Sequence, residues 1–174
     1  MSQLFFNEPL GMVGIILTLH FGLFHFIALF WQGRGIVAEP IMRAPLTAAS
    51  LGDFWGKRWN LGFRFLSHEY VFHPVSRVAG TLPAILVAFV ASGLIHELVI
   101  SLPARGGYGL PTLYFSLQGL GVVIERSSAG TVLHNPVTGR LFALLFTVAP
   151  LYWLFHPLFV KRVILPFMVA IRAL

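Results

Sequence analysis

Long apolar runs separated by short polar stretches set the rhythm of this chain. Met12 to Trp31 supplies about 20 nearly uncharged residues, enough for one bilayer crossing at about 1.5 Å of rise per residue. Leu82 to Leu102 predicts a second span, Leu110 to Glu125 a shorter third, and Leu141 to Val160 a fourth. The tail from Val163 to Leu174 is apolar but short, about 12 residues, which predicts a re-entrant or interfacial segment. Between the first two spans, Gln32 to Gly80 is more polar. Within it Ser50-Leu-Gly-Asp53 has the spacing of a capping box with Asp in place of Glu, and predicts a helix from Leu51 to about Tyr70. At 100° per residue, Leu51, Phe54, Trp55, Trp59, Phe65, Leu66 and Tyr70 share one face, with Asp53, Lys57, Asn60 and Arg64 opposite. That is the pattern of an interfacial amphipathic helix. Arg58 falls inside the aromatic stripe and must snorkel, pair or reach a buried group.

Composition sharpens this into a class. With 57% apolar and 10% charged residues in 174, and a mean hydropathy of +0.82, the chain has too little polar surface for a soluble globule. Abundant Phe and the lack of ten-residue alternating segments favour helices over an outer-membrane barrel. The expected fold is all-α, a polytopic helical membrane protein with four to five membrane segments and one interfacial helix, in a single domain over 1–174. Cysteine is absent, which removes disulfides, thiolate metal sites and a cysteine nucleophile. No basic region precedes the first apolar run, so that run is expected to remain as a span rather than to be cleaved.

Charge then orients the spans. Of the 12 Lys and Arg, the loop 32–80 holds Arg34, Arg43, Lys57, Arg58, Arg64 and Arg77, which places it on the cytoplasmic side. Alternation puts Arg105 outside and Arg126 to Arg140 inside, but leaves Lys161 and Arg162 on the unfavoured side. No nucleic-acid partner is expected; the basic surface belongs to a membrane face.

The candidate chemistry lies at His96, followed by Glu97, inside the second span. Ionisable groups at membrane depth cost a few kcal/mol and normally face a cavity or a partner. A desolvated imidazole stays neutral at physiological pH and can accept a proton, which is what activation of an alcohol needs. Ser92 lies one turn before His96 and is placed to orient its ring. Glu97 points about 100° away and is expected to pair with a basic group.

Asp53-Phe-Trp-Gly-Lys-Arg-Trp-Asn60 and Ser92-Gly-Leu-Ile-His96-Glu97-Leu98, in this order and separation, resemble the membrane-bound O-acyltransferase superfamily, in its wax-synthase-like branch. Ala44-Pro-Leu-Thr-Ala-Ala-Ser-Leu51 and Leu117-Gln-Gly-Leu-Gly-Val-Val-Ile-Glu125 look like the same branch, so the resemblance covers about 39–125. It implies transfer of an acyl group from acyl-CoA, a co-substrate rather than a resident cofactor, to the hydroxyl of a long-chain alcohol or other membrane lipid. The family histidine matches His96 and its polar partner matches Asn60. Lys57, Arg58 and Arg64 are then candidates for the coenzyme A phosphates, with Trp55, Trp59 and Ser92 around the substrates. Family members usually have eight or more spans and at least twice this length, which leaves room here for an oligomer or a partner subunit.

Plainer readings stand beside these. His96 and Glu97 also suit hydrogen bonding between helices in a non-catalytic membrane protein or a truncated remnant with an assembly role. Asn60 suits a solvated helix face, and the basic trio suits lipid headgroups. Gln118 and Glu125 read as structural or interfacial, and His134 and His156 as interfacial. His20 with His25 and His68 with His73 echo the short histidine motifs of di-iron desaturases and hydroxylases, but a separation of five sets helical rings about 140° apart, and no metal is expected.

Overall fold

The computed structural model describes residues 14, 18–37 and 39–171; the beginning of the first expected span, most of 1–17, lies outside them. The described residues contain helices and turns and no strand. Helix α1 occupies 18–32, α2 51–58, α3 61–79, α4 Thr81–Ala104, α5 Leu110–Arg126, α6 Pro136–Leu154 and α7 157–170. Several of these are continuous rods containing one wide turn of i→i+5 type, at Phe54–Arg58, His68–Phe72, Glu97–Ser101 and Val160–Ile164. Such bulges redirect side chains and recur at functional sites.

Among the described residues, two helices are long and apolar enough to cross a membrane, α4 and α6, and only 28% of the most apolar window of each is buried. Leu82, Val87, Leu94, Ile95, Leu98, Val99 and Leu102 of α4 are exposed. A core helix of a soluble protein would bury them, whereas lipid tolerates them. The expected third span is instead the 17-residue α5, the most enclosed helix, with Tyr114, Phe115, Gln118 and Val122 buried. The fourth does not run from 141 to 160 without interruption. α6 stops at Leu154, and Pro157 starts α7 after His156, whose ring accepts the Phe159 amide at 3.3 Å.

The expected helix over 51–70 divides in two. Ser50 does cap it, its Oγ accepting the Asp53 amide at 3.0 Å, while the Asp53 carboxylate reaches back to the Ala49 amide rather than to Ser50. At Trp59 the backbone turns extended and Asn60 enters the left-handed region (φ 42°, ψ 62°), so α3 starts afresh with Asn60 as its cap. Two backbone hydrogen bonds pin this corner to the preceding loop, from Arg43 to Arg58 and from Leu61 to Ile41, both 2.8 Å. The break resets the helical phase: Leu51 is buried, but Phe65, Leu66 and Tyr70 are exposed on α3. Arg58 resolves its awkward place in the aromatic stripe by pairing with Asp53 at 2.6 Å and donating to Thr47 and the Ala44 carbonyl. Burial pushes the Asp53 carboxyl up, but the Ala49 amide and the Arg58 guanidinium outweigh it and hold the group below its ordinary value.

α4 and α5 form the most extensive helix pair. A Cβ on Gly93 would sit 2.6 Å from the Thr112 Cα, so only glycine allows the two backbones to pass this closely. Pro150 lacks the N–H that the Phe146 carbonyl would otherwise accept; Gln118 Nε2 donates to that carbonyl at 2.6 Å and ties α5 to α6. Arg162 of α7 donates to the carbonyls of Ala104 and Arg105 at the end of α4. This accounts for a basic residue at the unfavoured end of the charge pattern, since the cation is engaged by a helix C-terminus.

Candidate active site

α2, α3, α4 and α5 enclose a cavity of about 200 Å³. His96 and Asn60 both line it, together with Trp55, Trp59, Arg64 and Ser92, so the structure brings together most of the residues singled out from the sequence. Ile85, Phe89, Ser92 and His96 present one stripe of α4 to it, spaced three, four and seven residues apart as a single helix face requires.

The motif Ser92-Gly-Leu-Ile-His96-Glu97 divides its labour residue by residue. His96 Nδ1 lies 2.7 Å from the Ser92 carbonyl oxygen. A carbonyl only accepts, so Nδ1 carries a proton, and in the neutral ring Nε2 is left with its lone pair and no partner among the described residues. Ser92 thus orients the ring through its backbone carbonyl; a hydroxyl contact is not the means. Phe115 covers the imidazole with ring centroids 4.2 Å apart, and Phe63 meets it edge-on at 6.2 Å. Gly93 permits the close crossing with α5. Glu97 makes no direct ion pair among the described residues. Its Oε1 accepts the Gly109 amide at 3.0 Å, the Thr112 amide at 3.1 Å and the Thr112 hydroxyl at 2.9 Å, capping α5 from the neighbouring helix.

Asn60 reaches the same cavity from the α2–α3 corner. Its Oδ1 accepts the Phe63 amide at 3.2 Å, which leaves Nδ2 as a donor. Trp55 is held by its indole N–H, which donates to Gln118 Oε1 at 3.2 Å, and its ring packs against Phe89 and Phe115. Trp59 stacks on Phe54 with centroids 5.4 Å apart. Glu125 accepts the amides of Leu51, at 2.7 Å, and Gly52, fixing the start of α2. Gln118 and Glu125 are therefore structural, as the sequence suggests, and each fixes a wall of the cavity.

Lys57 and Arg58 are not on the cavity: Lys57 is exposed and Arg58 is engaged with Asp53. Arg126 lines it instead, with Ser67 and His68. No sequence signal pointed to Arg126, which lies beyond the end of the Leu110–Glu125 run. His68 and His73 stack at 6.2 Å and 12°, because the wide turn His68–Phe72 brings residues five apart onto one face, contrary to the ideal-helix expectation. His25 has no such partner to describe, the His20 side chain lying outside the described residues, and no group of three His, Cys, Asp or Glu gathers among the described residues. His156 is not interfacial but 1% exposed.

The family model for the membrane bound O-acyl transferase family matches residues 38–117. Over those residues the chain is similar to that family. Its relatives narrow the class to the wax-synthase-like branch. The chain is 32% identical over 145 residues to "Probable long-chain-alcohol O-fatty-acyltransferase 7" of Arabidopsis thaliana, covering 74% of this chain and 42% of that one. It is 32% identical over 142 residues to the long-chain-alcohol O-fatty-acyltransferase of Simmondsia chinensis, covering 74% and 40%. With acyl-CoA–sterol O-acyltransferase 1 of Arabidopsis thaliana it shares 29% identity over 133 residues, covering 70% and 39%. The matched region thus spans about two fifths of these curated relatives. No solved structure matches the chain.

Proposed function

We propose that the chain carries the catalytic region of a membrane acyltransferase that moves an acyl group from acyl-CoA to the hydroxyl of a long-chain alcohol or other lipid. The observation that carries this reading is the 2.7 Å contact of His96 Nδ1 with the Ser92 carbonyl, which leaves Nε2 basic on a cavity that Asn60 also lines. His96 Nε2 takes the acceptor hydroxyl proton as that oxygen attacks the thioester carbonyl. The C–S bond then breaks, and the departing thiolate of coenzyme A recovers the proton from His96. No acyl-enzyme is needed. Asn60 Nδ2 donates to the carbonyl oxygen as it gains charge, its Oδ1 being occupied by the Phe63 amide.

Trp55, Trp59 and Phe115 exclude water around the reacting atoms, and Ser92 holds the base in the productive tautomer. Arg64 retains the role of meeting phosphate, with Arg126 beside the same cavity, whereas Lys57 and Arg58 give it up. At about 200 Å³ the cavity accommodates the reacting ends of both substrates and not their tails, which extend toward lipid. In this reading the loop 32–80 faces the cytoplasm, where the acyl donor arrives, and four to five segments cross the membrane.

The test is purified protein reconstituted in lipid with labelled acyl-CoA and a panel of long-chain alcohols, diacylglycerol and sterols, wild type against His96→Ala. Sterols belong in the panel because one relative's name contains sterol. Transfer by the wild type that vanishes in His96→Ala supports the mechanism; equal transfer in both removes it. No transfer with any acceptor would favour a non-catalytic role.

A further inference from the structure

One buried imidazole takes no part in this reaction. His156 joins α6 to α7 and is 1% exposed. Its Nδ1 accepts the Phe159 amide, so Nδ1 holds a lone pair and the proton of the neutral ring is on Nε2. That Nε2 is buried with no partner among the described residues, and the other such buried side-chain atom is Glu97 Oε2. One is a donor, the other an acceptor, and both meet the same loop: the His156 ring lies against Gly107, and Glu97 Oε1 accepts the Gly109 amide. They are not in direct hydrogen-bond contact. Between α4 and α5, Gly107 (φ 75°) passes so close that an added Cβ would overlap the His156 ring. Arg162 of α7 holds the Ala104 and Arg105 carbonyls, so His156 and α7 grip this loop at two points, while Ser101 Oγ of α4 donates to the Gly107 carbonyl at 3.4 Å.

We propose that His156 Nε2–H donates to Glu97 Oε2 through a single bridging water, and that this link makes His156 a positioning residue for His96. A polar site between two groups too far apart for direct contact is where a buried water is retained. Glu97 is the chain neighbour of His96, and its other oxygen holds the start of α5, whose Phe115 covers the His96 ring. Docking α7 through His156 therefore fixes both the backbone that carries the base and the ring packed on it. The catalytic consequence rests on the acyl-transfer reading; the link itself does not.

Full-length protein with ¹⁵N-labelled histidine, in lipid nanodiscs, reports the proton position directly. The histidine signal lost in His156→Phe is expected to show a bare Nδ1 and a protonated Nε2, and to shift in Glu97→Gln, which keeps an Oε1 acceptor for α5 but turns a donor toward the ring. Should His156→Phe fail to fold, His156→Gln serves for assignment. A proton on Nδ1 of His156, or a signal unmoved by Glu97→Gln, overturns the link. Thermal unfolding of Glu97→Gln, His156→Phe and the double variant is expected to be non-additive, and additive losses overturn it equally. With transfer activity in hand, His156→Phe is expected to lower kcat about tenfold with KM within about twofold, and His156→Gln to restore part of it. An unchanged kcat removes the positioning role and leaves the acyl-transfer reading intact. Absence of transfer in the wild type counts against that reading, and the nitrogen spectrum still decides the link.

Discussion

Asn60 separates a catalytic amide from a structural one, because its two roles use different atoms. Its backbone is left-handed (φ 42°, ψ 62°) and its Oδ1 caps α3 at the Phe63 amide, so Asn60→Ala loses both a tolerated conformation and a cap. Those losses come to about 1 to 2 kcal/mol for the backbone and about 1 for the cap, roughly 2 to 3 in all. Asn60→Asp keeps the acceptor and tolerates the same backbone, so its stability should lie within about 0.5 kcal/mol of wild type. What Asp removes is the Nδ2 donor. If that donor serves the developing oxyanion, kcat should fall about 10² to 10³-fold in Asn60→Asp, as for a lost oxyanion donor elsewhere. Asn60→Gly, which accepts the backbone and costs only a few tenths of a kcal/mol at the cap, should lose activity similarly. The assay pairs thermal unfolding in detergent with initial rates of labelled acyl transfer over a range of acceptor. Activity in Asn60→Asp within about threefold of wild type, with loss confined to Asn60→Ala and in step with its stability, would refute the donor role and leave Asn60 as a helix cap.

Three further outcomes test the architecture. Gly93→Ala places a Cβ 2.6 Å from the Thr112 Cα and should lower stability by about 1 to 3 kcal/mol, read by thermal unfolding, and reduce activity as α4 and α5 part. Gln118→Leu leaves the Phe146 carbonyl and the Trp55 indole unpaired and should cost about 2 to 4 kcal/mol, with a change in tryptophan fluorescence as Trp55 shifts. The Asp53 carboxyl is held below its ordinary value, so its contribution is fully present above the ordinary carboxylate range and disappears as pH falls through the depressed value. Asp53→Asn should therefore cost about 1 kcal/mol near neutral pH, discounted for partial exposure, and match wild type in strong acid; a gap that widens on acidification contradicts the assignment.

Much of the site was legible because its chemistry is local. The spacing of Ser92, Gly93, His96 and Glu97 follows one helix face and its neighbour, so the sequence could place the base beside whatever α4 packs against. Asn60 was legible as a residue but not as a corner: the end of α2 depends on an extended Trp59 and on hydrogen bonds from the distant 41–43 segment, which no helical period encodes. Lys57 and Arg58 lie off the cavity for a different reason, one pointing to the exposed side of α2 and the other engaged with Asp53. Glu97 was misread because its partners are two backbone amides and a hydroxyl, which leave no trace in a pattern of side-chain charges. His68 and His73 were misjudged on ideal geometry, which a wide turn sets aside. His156 was hidden entirely, since burial of one ring under Gly107 is a property of three packed segments.

The acidic groups near the cavity have a collective effect. Asp53 is paired with Arg58, Glu125 is bonded to the amides opening α2 and Glu97 to those opening α5, and none of these three carboxylates lines the cavity. Arg64 and Arg126, both exposed, are left to dominate the potential at the mouth. A polyanionic donor would be drawn to such an opening by long-range attraction, and its capture rate should decline as added salt shortens the screening length, while an uncharged acceptor arriving through lipid would be indifferent to it.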